Sequence, residues 1–180
     1  MAIVAVRHTT VDVPAGICYG QSDVALSSSF VFEKEQVIRE LSTEDFQAVY
    51  SSPLTRCRML AEYVSKGIPV ICDSRLMELN FGIWEGLKWN EINKSDEAKL
   101  WFNDWLNIPC PKGESYKQLI TRVADFFKQI VKIHSCENVL IVSHGGVIRA
   151  LSSLVNKTEP KDAFNISIEY GSITKLKINE

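Results

Sequence analysis

The stretch Ile3-Val4-Ala5-Val6-Arg7-His8-Thr9 is the part of the chain around which the rest can be organised. Its apolar residues predict a buried strand, and a cation and an imidazole follow with no turn residue between them. Both side chains therefore lie at the carboxyl end of a strand, the edge at which open α/β sheets bind ligands. Taken alone, Arg7 and His8 are more typical of a solvated strand end than of a catalytic site.

Strand and helix patterns alternate along the chain. Strand patterns lie at 3–6, 48–51, 70–72 and 139–142, and helix patterns at 31–41, 55–64, 97–106, 116–133 and 147–155. Because the strands are near-continuous apolar runs, they predict an α/β fold: a three-layer α/β/α sandwich whose mostly parallel central sheet has helices on both faces. Two further strands, at about 166–170 and 173–178, are expected to close the chain, with antiparallel pairing between them left open.

Size and composition place the chain among ordinary globular proteins. Its 180 residues suit one domain, residues 1–180, and its 46% apolar and 23% charged residues suit a packed core with a polar surface. The net charge of −2 gives no bulk attraction to nucleic acid or to an anionic membrane. Any anion that this chain binds must therefore be held by a local cluster of cations.

The compartment predicted from the sequence is the cytoplasm. The apolar run near the N-terminus is too short for a secretory signal, and no run approaches the length of a membrane span. The cysteines number five, are widely spaced and form no Cys-x-x-Cys pair. They are therefore expected to be reduced thiols, most of which fill the core.

A segment at about residues 73–112 is less regular than its surroundings and is expected to be a lid-like insertion. It contains all four tryptophans of the chain, Trp84, Trp89, Trp101 and Trp105. Packing within the insertion is the first interpretation of these rings. An alternative is that one of them stacks on a flat heteroaromatic part of a substrate.

Three strand ends carry residues suited to a phosphoryl group. Besides Arg7 and His8, the second strand is followed by Arg56, and the strand at 139–142 by Ser143-His144-Gly145-Gly146. A cation in the first turn of a helix is electrostatically unfavourable, so Arg56 indicates a site. Glycines at a strand-to-helix turn let backbone N–H groups approach an anion, and guanidinium groups match phosphate oxygens. The set predicts a pocket for a dianionic phosphoryl group.

Other sites explain these residues less well. A zinc ion on His8 and His144 would need a third ligand and would be repelled by the arginines, so no metal site is predicted. A serine hydrolase is disfavoured because the chain has no Gly-x-Ser-x-Gly turn. His134 lies at a helix end, where histidine is common, and is assigned no role.

Four motifs occur together in an order that resembles the histidine phosphatase superfamily, which also contains the phosphoglycerate mutases. The motifs are Arg7-His8, Ser52-Pro53-Leu54-Thr55-Arg56, Glu78-Leu79-Asn80-Phe81-Gly82-Ile83-Trp84-Glu85-Gly86 and Ser143-His144-Gly145. They span residues 6–149, so the resemblance covers most of the chain. One departure is Thr9, which stands where the Arg-His motif usually continues with Gly.

Within this superfamily, the loop after the first strand resembles that of the alpha-ribazole phosphatases of cobalamin assembly. The resembling segments are Gly16-Ile17-Cys18-Tyr19-Gly20 and Asp23-Val24-Ala25-Leu26. The resemblance implies that Tyr19, Gly20 and Gln21, together with Gly145, bind the substrate.

The resemblance also implies catalytic roles. His8 attacks phosphorus and becomes a phosphohistidine, while Arg7, Arg56 and His144 hold the phosphoryl oxygens. Glu78 protonates the leaving alkoxide and then activates the water that hydrolyses the intermediate.

Two charged residues near these motifs are given lesser roles. Glu85 competes with Glu78 for the acid–base role, but is better interpreted as a turn residue near Trp84. Arg58 is interpreted as a surface cation of its helix.

The function implied is a phosphomonoesterase acting on a small-molecule phosphate ester, with alpha-ribazole 5′-phosphate as the first substrate. Neither a cofactor nor a metal is expected, and neither nucleic acid nor membrane is an expected partner. A broad sugar-phosphate or phosphohistidine phosphatase, a mutase that returns the phosphoryl group to its substrate, and a non-enzymatic phospholigand-binding protein are the alternatives. The oligomeric state is left open.

Overall fold

The structure, a computed structural model, describes residues 1–135 and 137–178. Its sheet has five strands, in the order β3-β2-β4-β1-β5. The strands are β1 (Ala2–Arg7), β2 (Ala48–Ser51), β3 (Val70–Cys72), β4 (Asn138–Ser143) and β5 (Ile173–Lys177). The first four are parallel, and β5 runs antiparallel to β1 at the sheet edge. The predicted mostly parallel sheet is confirmed.

Six helices accompany the sheet in the described residues. They are α1 (Phe30–Glu40), α2 (Thr55–Val64), α3 (Trp89–Ile92), α4 (Asp96–Asn103), α5 (Tyr116–Ile133) and α6 (Gly145–Asn156). Short 3₁₀ helices lie at Ser74–Leu76, Gly82–Trp84 and Asp162–Asn165. A capping box fixes the start of α5, because the side chains of Ser115 and Gln118 each accept from the other's backbone N–H.

The sheet has a separate apolar core on each face. In β1, Ile3 and Ala5 belong to the core formed with α5 and α6, whereas Val4 and Val6 belong to the core formed with α1 and α2. This alternation follows from the two-residue period of a strand, and it explains why β1 is apolar at the consecutive positions 3–6. The three-layer α/β/α sandwich is confirmed.

Two local expectations were wrong. No strand forms at 166–170; in that segment the Ile168 carbonyl accepts from Arg7 Nη1 at 2.5 Å, so β5 pairs with β1 alone. The helix expected at 97–106 ends at Asn103, because the Asp104 carboxylate accepts from the backbone and side-chain N–H groups of Asn107 and stabilises a turn there.

The insertion at about residues 73–112 holds α3, α4 and two of the 3₁₀ helices. Its aromatic rings pack on one another. The ring centroid of Trp101 lies 5.0 to 6.4 Å from those of Phe81, Trp84, Trp89 and Phe102. Most of the insertion therefore has an apolar interior of its own, continuous with the core on the α5 and α6 face.

Cys18, Cys57 and Cys110 are buried free thiols, as expected, whereas Cys72 is a free thiol at the surface. Cys136 lies outside the described residues. None of the helices in the described part of the chain is long and apolar enough to cross a membrane.

Candidate active site

A cavity of about 400 Å³ opens at the carboxyl edge of the sheet, beneath the insertion. It is lined by Arg7, His8, Tyr19, Arg56, Glu78, Leu79, Phe81, Trp101, Phe102, Trp105, Tyr116, His144, Gly146 and Arg149. The five residues predicted to be catalytic, from four separate segments of the chain, are all among them. The fold thus brings together what the motifs only placed in order.

His8 lies directly beyond the end of β1 and is 2% exposed. Its Nδ1 lies 2.8 Å from the carbonyl oxygen of Thr9. Because a carbonyl only accepts, Nδ1 carries the proton and the lone pair of the neutral ring is on Nε2. Burial, and after it the charges of Arg56 and Arg7, lower the pKa of His8 to about 3 despite its bond to Thr9. The ring is therefore an uncharged base with a nucleophilic nitrogen.

His144 follows β4 and is fully buried, with its ring centroid 5.1 Å from that of His8. Its Nε2 lies 2.8 Å from the Ser52 hydroxyl and 3.4 Å from Cys57 Sγ. Burial is the first cause that lowers the pKa of His144, and the neighbouring His8 and Arg56 lower it further. The segment that leads from β2 into α2 thus supplies both Arg56 and the hydroxyl that orients His144.

Arg56 is the largest fully buried side chain of the described residues. Its Nη1 and Nη2 donate to the carbonyl oxygens of Ser22 and Gly20 at 2.8 and 2.6 Å, so neutral groups hold it and its full charge remains in the cavity. The Nε atom is buried without a hydrogen-bond partner among the described residues. A cation in the first turn of α2 is thus explained by its direction, into the cavity.

Arg7 is held by the segment that contains Ile168 and Tyr170. Its Nη1 donates to the Ile168 carbonyl, its guanidinium carbon lies 3.9 Å from the ring centre of Tyr170, and its buried Nε has no partner in the described chain. Two guanidinium groups with an unpaired Nε donor each are suited to the oxygens of a phosphoryl group.

Glu78 approaches the same cavity through a close contact with α6. Its Oε2 accepts from the Gly146 backbone N–H at 3.1 Å, and its Oε1 from that of Leu79 at 2.9 Å. A Cβ atom on Gly146 would lie 2.3 Å from Oε1, so the second glycine of the motif is required for this approach. The carboxyl group is therefore fixed at the cavity wall.

The competing carboxylate, Glu85, is used differently. It accepts from the backbone N–H groups of Gln21, Ser22 and Phe81 and from the Ser22 hydroxyl. Burial raises its pKa, but these hydrogen bonds outweigh burial and the net pKa is lowered. Glu85 does not line the cavity in the described structure. It secures the loop that holds Arg56.

The predicted substrate-binding residues divide into two groups. Tyr19 lines the cavity and its hydroxyl is hydrogen-bonded to that of Tyr170. Gly20, Gln21 and Gly145 are not among the described residues that line it. A Cβ atom added at Gly20 would lie 1.9 Å from the Leu79 carbonyl oxygen, so the backbones are in close contact there. The Gln21 side-chain amide donates to the Glu78 carbonyl at 3.0 Å. Both residues therefore connect the loop to the segment of Glu78.

Two residues near the site were missed by sequence reasoning: Arg149, which lines the cavity, and Tyr170, which contacts residues of the site but does not line the cavity. Tyr170, in the segment expected to be a strand, contacts Arg7 and lies 5.5 Å from the His8 ring. Arg149 lies one turn into α6, and its Nη1 is 3.1 Å from the position that a Cβ atom would take at Gly145. Nothing local distinguishes Tyr170, whereas a cation four residues after Gly145 lies on the same helix face and could have been inferred.

Two residues assigned no part in the chemistry lie elsewhere. Arg58 pairs with Glu62 on the exposed face of α2 at 2.7 Å. His134 bridges the Tyr50 hydroxyl and the Glu137 carboxylate beyond the end of α5. Within the described ranges, no group of three His, Cys, Asp or Glu side chains is arranged to hold a metal ion.

The sequence comparison decides the family. Residues 3–180 match the model of the histidine phosphatase superfamily (branch 1). The chain belongs to this superfamily. The resemblance inferred from the four motifs is thereby confirmed, and phosphatase chemistry is established at the level of the superfamily.

The chain is similar to members of this superfamily that are named for different substrates. It is 36% identical to the metal-independent phosphoserine phosphatase of Arabidopsis thaliana over 157 residues, which are 83% of this chain and 66% of that one. It is 26% identical to the adenosylcobalamin/alpha-ribazole phosphatase of Salmonella typhimurium over 185 aligned positions, covering 100% and 92% of the two chains. The alpha-ribazole phosphatase of Shigella flexneri shares its fold, with a TM-score of 0.92, 23% identity and coverage of 100% and 92%.

Proposed function

We propose that this histidine phosphatase hydrolyses phosphomonoesters through a phosphohistidine at His8, and that alpha-ribazole 5′-phosphate is its substrate. The observation that carries the mechanism is the geometry of His8. The Thr9 carbonyl accepts a hydrogen bond from Nδ1–H, which leaves the lone pair on Nε2 of a ring that lines the cavity together with Arg7 and Arg56. A neutral nucleophile beside two cations is suited to attack on a phosphate dianion.

The reaction has two displacements at phosphorus. In the first, Nε2 of His8 forms a bond to phosphorus while the ester P–O bond breaks, and Glu78 gives its proton to the leaving alkoxide. In the second, the Glu78 carboxylate takes a proton from water, whose oxygen attacks phosphorus as the P–N bond breaks. Inorganic phosphate leaves, and both residues return to their starting forms. Arg7, Arg56 and His144 bind the phosphoryl oxygens in both steps.

The choice of alpha-ribazole 5′-phosphate is supported by the aromatic part of the cavity wall. Phe81, Trp101, Phe102 and Trp105 line the cavity there, and Phe102 is 49% exposed. Flat, apolar rings favour a leaving group that carries a flat heteroaromatic base. The full-length similarity to the Salmonella typhimurium alpha-ribazole phosphatase supports the same substrate.

A second candidate, phosphoserine hydrolysis, is favoured by Arg149. This third guanidinium lines the cavity on the α6 side and suits a substrate with a carboxylate besides its phosphate. The similarity to a phosphoserine phosphatase at 36% identity points in the same direction.

The test is hydrolysis of a substrate panel without added metal and with a chelator present. The panel contains alpha-ribazole 5′-phosphate, phosphoserine, phosphoglycerates, a sugar phosphate, a phosphohistidine peptide and p-nitrophenyl phosphate. We expect free phosphate, and the highest kcat/KM with alpha-ribazole 5′-phosphate. Isomer formation instead of free phosphate would identify a mutase, and absence of turnover with every ester would leave only a binding protein; either contradicts the proposal.

Variants separate the two substrates. Trp101→Ala is expected to raise KM for alpha-ribazole 5′-phosphate about tenfold, since stacking on a base contributes roughly 1–3 kcal/mol. Arg149→Met should leave that KM within about twofold and raise the KM for phosphoserine. The opposite pattern, an unchanged ribazole KM in Trp101→Ala and a large loss in Arg149→Met, favours the anionic substrate.

We also propose a cytoplasmic, single-domain enzyme whose partner is the small phosphate ester alone. The supports are the four free thiols among the described cysteines and the small net charge of −2.

A further inference from the structure

Arg122, on α5, contacts the segment that carries Glu78 rather than the cavity. Its Nη1 donates to the carbonyl oxygens of Arg75 and Met77 at 2.7 and 2.6 Å. Its Nη2 donates to the carbonyl of Glu78 itself at 2.9 Å and to the Glu114 carboxylate at 2.5 Å. The remaining donor, Nε, reaches the same carboxylate at 3.1 Å. All three guanidinium nitrogens are therefore engaged.

Glu114 extends this contact to the other side of Glu78. Its Oε1 accepts from the Asn80 backbone N–H at 2.9 Å, and its own N–H donates to the Asn80 carbonyl at 2.9 Å. The side chains of Arg122 and Glu114 are 19% and 16% exposed. Together they fix the backbone from residue 75 to residue 80 from one side.

The segment needs such support because residues 77–81 form neither helix nor strand. Its carbonyl groups have no ladder partners, and a partly buried carbonyl without a donor is unfavourable. A guanidinium offers several donors in a rigid plane, so one side chain fixes three carbonyls at once. A lysine in its place would have one ammonium group, which cannot donate to these separated acceptors in the same planar arrangement.

Among the described hydrogen bonds, the carboxyl group of Glu78 is joined to α5 or α6 only by the Gly146 N–H, at 3.1 Å. A backbone shift at residue 78 would move the carboxyl group away from this donor and from the leaving oxygen. General acids act only within hydrogen-bond reach of the proton's destination, so a displacement of about 1 Å is enough to slow the transfer roughly 100-fold.

We propose that Arg122 is the positioning residue of Glu78, fixing the backbone from which the acid reaches the leaving group. This inference rests on the proposed function, because it takes Glu78 as the general acid. Arg122 does not line the cavity in the described structure, so it acts through Glu78, on the steps in which Glu78 gives or takes a proton.

The consequence is a dependence on the leaving group. An alkoxide must be protonated as it departs, whereas p-nitrophenolate is stable without a proton. Since kcat/KM reports only the steps up to formation of the phosphohistidine, a misplaced acid should lower kcat/KM for an alkyl ester and spare that for p-nitrophenyl phosphate. A general loss of structure would lower both alike.

The experiment compares kcat/KM for p-nitrophenyl phosphate with that for whichever of alpha-ribazole 5′-phosphate and phosphoserine is hydrolysed faster. The variants are Arg122→Gln, Arg122→Lys, Glu78→Gln and the double variant Glu78→Gln/Arg122→Gln. Arg75→Gln is the matched control, because Arg75 pairs with Asp73 and with Gln129 of α5 but its side chain makes no hydrogen bond to residues 77–80 in the described structure.

We expect Arg122→Gln to lower kcat/KM about tenfold or more for the alkyl ester and less than about twofold for the aryl ester, with partial recovery in Arg122→Lys. In the Glu78→Gln background the same change should have no further effect on the ratio. Arg75→Gln should match the wild type.

Equal losses with both esters in Arg122→Gln, in protein shown by its circular dichroism to be folded, would overturn the inference. So would an additive loss in the double variant. If Glu78→Gln itself changes neither ester, the proposed acid is wrong; if Glu78→Gln is selective and Arg122→Gln is not, the proposed function stands and the inference about Arg122 fails. Should Arg122→Gln fail to fold, the comparison is made with Arg122→Lys.

Discussion

Replacement of His8 with Asn tests the physical state on which the nucleophile depends. The pKa of His8 is lowered to about 3 by burial and by Arg56 and Arg7, against about 6.5 in the unfolded chain. Because the folded-state pKa is the lower one, the unfolded chain binds a proton on His8 between about pH 6.5 and pH 3, where the folded protein does not. The contribution of neutral His8 to stability is therefore present above about pH 6.5 and is lost as the pH falls towards 3.

The magnitude follows from the two pKa values. Between about pH 7 and pH 5, proton uptake by the unfolded chain alone lowers the free energy of unfolding by about 2 kcal/mol for this one group. The figure changes little for any folded-state pKa below about 4, because the folded ring is then still neutral at pH 5. His8→Asn removes this loss and leaves the other titrating groups, His144 among them, in place.

The assay is urea unfolding of both proteins at pH 7, 6 and 5, followed by tryptophan fluorescence. Whatever the absolute stability of His8→Asn, its free energy of unfolding should fall by about 2 kcal/mol less than that of the wild type over this range. Parallel pH dependences in the two proteins would refute the reasoning, since His8 would then titrate alike in the folded and the unfolded chain.

Three further substitutions test the surroundings of the site. Gly146→Ala places a Cβ 2.3 Å from Glu78 Oε1, so we expect kcat/KM for alkyl phosphates to fall roughly 10- to 100-fold while the melting temperature is kept or raised, since alanine favours α6. Glu85→Ala removes the acceptor of three backbone N–H groups, and urea unfolding should show a loss of about 2–3 kcal/mol. Arg58→Ala breaks an exposed pair with Glu62, and should change stability by less than about 0.5 kcal/mol and kcat/KM not measurably; a large loss of activity there would bring Arg58 back into the site.

Much of the fold was predictable because its determinants are local. Strand β1 is apolar from residue 2 to residue 6 and β4 from residue 139 to residue 142, and the structure shows that the alternate residues of these runs face two different cores. The same local signals identified the cavity residues that follow strands. Arg56 in particular was marked by a cation at a helix N-terminus, where the backbone alone disfavours it.

The rest of the site could not be predicted because it depends on contacts between distant segments. Residues 166–170 have the apolar pattern of a strand, but the Ile168 carbonyl and the Tyr170 ring serve Arg7 instead. Arg122 reads as an ordinary cation of an amphipathic helix, since its acceptors are backbone carbonyls that no sequence pattern displays.

The choice between Glu78 and Glu85 shows the same limit. Both are glutamates of one motif, and the sequence favoured Glu78 by resemblance and by its apolar neighbours. The structure separates them by their partners: Glu85 accepts from Gln21, Ser22 and Phe81, whereas Glu78 lines the cavity against Gly146. Apart from the bond to Phe81, these hydrogen bonds join residues more than sixty positions apart.

The central claim is that the phosphoryl group passes through His8, and trapping the intermediate tests it most directly. The enzyme is mixed with its best phosphomonoester, quenched in alkali within milliseconds, digested and examined by mass spectrometry, with Glu78→Gln used to slow hydrolysis of the intermediate. We expect one phosphoryl group on the peptide that contains His8, its loss in acid, and its absence in His8→Ala. A phosphoryl group on another residue, or full turnover by His8→Ala, would contradict the account.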